Sequence, residues 1–140
     1  MLASVDAAQA ISDMIEISPQ VKSVVVTGAD GAVLGSNLAD ETAAQRLADG
    51  AKALVEAAEA MRPDVAQLEA ATTAGSVFVV RDRGRMIAAT TSPEPTVGLV
   101  FYDLKTCLRA IDDQPAEEEP EPKRRRATAK KTEEDAGATP

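Results

Sequence analysis

Apolar residues return at steps of three and four through the opening stretch of the chain. Ala8, Ile11, Met14 and Ile15 fall on one stripe between Ser4 and Ile17, which predicts an amphipathic helix. Ser4 suits its N-cap, and Ser18-Pro19 ends it, because a residue before proline is pushed out of the α region. The pattern then changes to the β-branched run VKSVVVT and, after Gly28-Ala29-Asp30-Gly31, to AVLGS, predicting two strands and a tight turn.

From Asp40 to Met61 a helical period returns and holds until Pro63 stops it, with Asp40 as cap and Glu41 at the positive helix end. This helix carries two apolar rows. Leu47, Leu54 and Met61 form a large-residue row; Ala44, Ala48, Ala51, Val55 and Ala58 form a small-residue row beside it. One row can cover a sheet, and the other is flat enough for a second helix to approach. Three strands follow: Val65 to Ala71, Ser76 to Asp82 and Arg85 to Thr91, joined by short turns that favour antiparallel pairing. Val97, Val100, Phe101, Leu104, Leu108 and Ile111 then mark a closing helix. The order α-β-β-α-β-β-β-α predicts an α+β fold: a five-stranded, mainly antiparallel sheet with helices on both faces.

Composition changes abruptly near Asp112. Residues 113–140 contain no Val, Leu, Ile, Met or aromatic residue, so burial cannot offset their ordering entropy. The reading is a folded domain over 1–112 and a disordered charged tail over 113–140. The tail's eight acidic and six basic residues leave it at −2, so −6 of the chain's −8 lies on the domain. An acidic domain argues against a sequence-reading nucleic-acid surface. The tail's charges are blocked, with Glu117 to Glu121 preceding the basic KRRRATAKK, Lys123 to Lys131. The plain reading is a solvated extension; the sharper one is a weak contact to phosphates or anionic lipid.

Several chemistries are closed. The chain has no histidine, which removes Ser-His and Cys-His nucleophile activation and imidazole metal ligation. A single cysteine, Cys107, excludes an internal disulfide and a multi-cysteine metal site. With no secretory h-region and no apolar run near the ~20 residues that span a bilayer, the expected location is the cytoplasm. The richness in Ala, Arg, Asp and Glu points to a bacterial source. Gly28 to Gly31 is not a phosphate loop: Ala32 and Val33 stand where a Walker loop needs Lys and Ser or Thr, and a strand comes next in place of a helix. Its glycines more simply supply the positive φ of a hairpin. Arg81, Arg83 and Arg85 read as turn residues, or as a contact to an acidic partner. Glu56 and Glu59, like Asp103 and Lys105, read as helix-surface charges, and Phe101-Tyr102 as one inward and one outward ring. No catalytic residue, metal ligand or cofactor site is expected.

The helix, then SPQVKSVVVTGADGAVLGSN, then the long Ala-rich helix, three strands and a terminal helix resemble the roadblock/dynein-light-chain domain over Ala3 to Asp112. The most specific element is the first hairpin, with its valine-rich strand, Asp-Gly turn and return strand Ala32-Val33-Leu34-Gly35-Ser36. The resemblance implies a homodimer in which the long helices pair and the third strands join edges, with the paired helices as the platform for a GTPase. It implies a non-catalytic scaffold or regulator of a Ras-like small GTPase. The pairing surface would take in Ala44, Leu47, Ala48, Ala51, Leu54, Val55 and Ala58 of the helix and Val65, Gln67 and Leu68 of the strand. No residue qualifies as an arginine finger, and the tail is outside the family pattern. Two other readings stay open: a small-molecule sensor, since such sheets also build ligand modules, and a tether acting through the basic tail segment.

Overall fold

The computed structural model describes residues 6–111. The Ser4 cap and the tail expectation over 113–140 lie outside them. The first helix, α1, spans Ala7–Ile17 and is capped by Asp6, whose carboxylate accepts from the Gln9 N–H at 2.8 Å. Its inward stripe is Ala7, Ala10, Ile11 and Met14, with Ala8 turned outward, so the expected stripe is shifted by one position at its start.

Strand β1 is Val21–Thr27 and β2 is Val33–Ser36. Three successive valines of β1, Val24 to Val26, have no exposed surface. An unbroken apolar run of this kind marks a strand covered on both faces. The turn between the strands closes on Gly31, at φ +84°, with its N–H on the Gly28 carbonyl at 3.0 Å. Of the two glycines, only Gly31 supplies a positive φ. Beyond β2, Asn37 extends the pairing with its side chain: Oδ1 accepts from Val24 N at 2.8 Å, and Nδ2 donates to the Lys22 carbonyl at 2.9 Å.

The long helix α2 spans Glu41–Glu59, with Asp40 accepting from Thr42 N at 2.9 Å. Strands β3 (Gln67–Thr72), β4 (Gly75–Asp82) and β5 (Arg85–Thr91) follow, then helix α3 (Val97–Ala110). Val65 and Ala66, expected within β3, lie before it. Asp64 turns the chain at φ 61°, and the Val65 N–H goes to a Glu59 oxygen at 3.3 Å. The strand is displaced toward Thr72, where the Thr72 hydroxyl donates to the Gly75 carbonyl.

The sheet runs β2-β1-β5-β4-β3, and every pair is antiparallel. Alternation of the strands splits the core in two. Val24, Val26, Phe78, Val80, Ile87 and Ala89 meet α1 and α3 on one face. Val25, Val79 and Ala88 meet α2 on the other. The closing helix sends Phe101 edge-on to Phe78, with centroids 5.0 Å apart, and leaves Tyr102 66% exposed. Two helices therefore share one face of the sheet, and α2 lies alone on the other.

Candidate functional site

The lone helix α2 has three sides. Ala44, Ala48, Ala51 and Val55 are buried on the sheet, in the same cluster as Val25, Val79 and Ala88. The small row thus lies inward; the helix comes down close to the strands because alanine leaves little between them. This inverts the simplest assignment of the two rows, in which the flat row is kept for a second helix.

Turning 100° per residue about the axis brings Leu47, Gly50 and Leu54 into line on a second side. Leu47 and Leu54 are half-buried, Gly50 is exposed, and the row continues to Met61, which is 79% exposed. A Cβ built on Gly50 would meet nothing within 4 Å. Glycine within a helix costs about 0.5–1 kcal/mol relative to alanine. Among the described residues no contact accounts for it. Ala58 is half-buried, as are Val65 and Leu68, which pack at the margin of the α2 cluster, whereas Gln67 is exposed. Of the ten residues expected at a pairing surface, four are therefore covered by the chain's own sheet and six reach solvent to some degree.

The third side of α2 borders a groove of about 790 Å³. Asp49, Lys52, Glu56 and Glu59 line it from the helix. The two hairpin tips, Gly28 to Gly31 and Arg83-Gly84, form its lip, with Asp64 to Ala66 nearby. The tips touch, since a Cβ on Gly84 would lie 3.6 Å from that of Ala29. The opening turn thus forms part of the groove's lip without being a phosphate cradle.

Ion pairs tie the groove together. Arg81 Nη1 lies 2.8 Å from Glu59 Oε2. That guanidinium, first of all, holds the Glu59 carboxyl below its usual value, with the Val65 N–H adding to the effect. Arg85 donates to the Ile111 carbonyl at 2.9 Å, and Arg109 reaches Asp82 at 3.3 Å. The arginine-rich tip is therefore anchored to the end of α3, and Glu59 is more than a helix-surface charge. Neither bridge was legible from the sequence, because its partners stand more than 20 positions apart. Gly50 could have been found there: an isolated glycine inside a periodic helix is itself a signal.

Cys107 is buried against α1 and the sheet, and burial pushes its thiol up to about 12, the wrong direction for a nucleophile. Among the described residues no three His, Cys, Asp or Glu side chains gather as a metal ion would need, and no helix is long and apolar enough to cross a membrane.

No protein-family model matches the chain, and no curated protein does so. Solved structures do. A roadblock/LC7 domain from Streptomyces avermitilis superposes with a TM-score of 0.61 at 21% identity, over 71% of this chain and 88% of that one. The gliding protein MglB from Thermus thermophilus gives 0.56 at 14% identity, over 74% and 84%. MglB of Myxococcus xanthus gives 0.53 at 14%, over 74% and 86%. The chain has the roadblock/LC7 fold.

Proposed function

We propose that this protein is a non-catalytic, homodimeric regulatory module that binds a Ras-like small GTPase in the cytoplasm. The observation that carries the reading is the outward row of α2. Leu47 and Leu54 flank a glycine that meets no other described residue, on a helix that is alone on its sheet face. A second copy of α2 approaching along that row would meet flat backbone at Gly50 and apolar surface on either side. Edge strand β3, with Leu68 and Ala70 half-buried on the α2 side, gives the same pairing an extended hydrogen-bonding margin.

The fold supports the partner class: roadblock-like domains serve as scaffolds or regulators of Ras-like GTPases. One of the similar MglB structures is a tetrameric arrangement, so assembly through this fold occurs in a protein of like architecture. The test has two arms. Sedimentation equilibrium of the full chain should give twice the monomer mass at micromolar concentration. Affinity capture from the native cell should recover a small GTPase, more when it is locked with GTP. A monomer at high concentration defeats the pairing, and capture without a GTPase defeats the partner.

A further inference from the structure

The groove lies where the described chain ends. Ile111, the last described residue, gives its carbonyl to Arg85, and Arg85 lines the groove. Arg109 holds the same end of α3 to Asp82, another lining residue. The chain beyond Ile111 therefore sets out from the α3 side of the same sheet end that carries the groove's lip.

That part of the chain is charge-blocked, acidic over Glu117 to Glu121 and then basic over Lys123 to Lys131 with six cations. Lys123 is twelve positions beyond Ile111. Twelve residues reach roughly 40 Å when extended and about 20 Å on average as a flexible coil. The groove is within either range of its own lip.

Its charge favours a basic occupant. Six carboxylates and four cations line it. Of the cations, Arg81 is taken by Glu59 and Arg85 by the Ile111 carbonyl. Asp49 and Glu56 of α2 and Asp64 of the loop face the groove outside those bridges, with Lys52 between the first two. We propose that the segment Lys123 to Lys131 folds back into this groove and lies against Asp49, Glu56 and Asp64 of the same chain. The acidic stretch before it spans the arginine-bearing tip on the way. Tethering gives such a contact an effective concentration on the millimolar scale, so weak ion pairs suffice to populate it. The docked segment covers the flank of α2 opposite the Leu47–Gly50–Leu54 row. It leaves pairing free and obliges any partner of the groove to displace it. The inference stands whether or not the chain pairs or meets a GTPase.

The test uses the full chain with a nitroxide on Ala127→Cys; the buried Cys107 stays unlabelled. Amide signals of Asp49, Lys52, Glu56 and Asp64 should lose intensity at low salt and regain it at high salt. The loss should also vanish in an Asp49→Asn, Glu56→Gln, Asp64→Asn variant, whose surface substitutions leave the fold intact. Loss confined to residues near Ile111, or centred on α1 and α3, overturns the proposal. So does loss that persists in the triple variant. Spin-labelled chain mixed with isotope-labelled, unmodified chain should leave the groove amides of Asp49, Glu56 and Asp64 far less broadened than the chain's own label does, even where paired copies bring the label near the Leu47–Gly50–Leu54 row. Groove broadening as strong as the chain's own label gives places the segment on another copy and overturns docking within one chain.

Discussion

Glu59 and Arg81 meet at 2.8 Å, joining the last residue of α2 to strand β4, while the same carboxylate oxygen takes the Val65 N–H. One side chain thus closes the loop between α2 and β3 and sets one wall of the groove. Because the folded-state carboxyl titrates below its ordinary value of 4.5, folding favours the ionised form. That contribution is complete above pH 4.5 and fades as pH falls through the lower folded value. Glu59→Gln should lower the melting temperature near neutrality and flatten its fall below that pH. Thermal unfolding from neutral to strongly acidic buffer checks this; a variant with an unchanged acid limb contradicts it.

Gly50 should respond in opposite senses to two measurements. Gly50→Ala should stabilise α2 by about 0.5–1 kcal/mol, since the position is helical and open. Gly50→Leu should weaken self-association, measured by sedimentation, while the circular dichroism of the fold persists. Equal association of both variants and the parent would remove the glycine from the interface.

Leu54→Asp and Ala51→Glu, both on α2, should behave differently. Leu54 is half-exposed, so the aspartate should yield a folded monomer. Ala51 is 1% exposed on the sheet, so a glutamate there buries a carboxylate and should unfold the domain. Size-exclusion chromatography with circular dichroism separates the outcomes.

Gly75, at the start of β4, has φ +139°, and a Cβ there would fall directly on the Thr91 carbonyl oxygen. Gly75→Ala should therefore destabilise by roughly 1–3 kcal/mol or more, combining backbone strain with a clash against a neighbouring strand. Urea unfolding measures it; a loss below that range would mean the β3–β4 turn relaxes freely.

The Cys107 thiol, raised to about 12 by burial, should resist alkylating and disulfide reagents at neutral pH until the domain unfolds. The unfolded thiol ionises near 9 and the folded one near 12, so the unfolded state sheds its proton first as pH rises. The stabilising effect of burial is whole below pH 9 and is lost progressively toward 12. Rapid labelling of the native chain would contradict this.

Much of the fold was legible in short stretches. The β-branched run around Val24-Val25-Val26 announced a strand, Asp40 announced a cap, and Arg85 to Thr91 is the fifth strand residue for residue. The inward side of α2 was not legible. Periodicity says that Ala44, Ala48 and Ala51 share a side; which side meets the sheet depends on how closely strands and helix can approach, a tertiary matter. The groove was hidden for a related reason. Asp49, Asp64 and Arg81 stand on three different elements, and only the closed sheet brings them together. The start of α1 was misplaced because Ser4 and Asp6 both suit a cap, and it is Asp6 that receives the Gln9 N–H.

The pairing of β1 with β5, which sets Val24 opposite Ala89, has a consequence for synthesis. The first hairpin emerges from the ribosome with one long edge open, and its complement is the last strand to be made. Until that strand arrives, the valine run has no lasting neighbour on that side. Folding should accordingly be slow for so small a domain, with a high contact order. The newborn chain should be most prone to aggregate in the interval before residue 91 clears the exit tunnel.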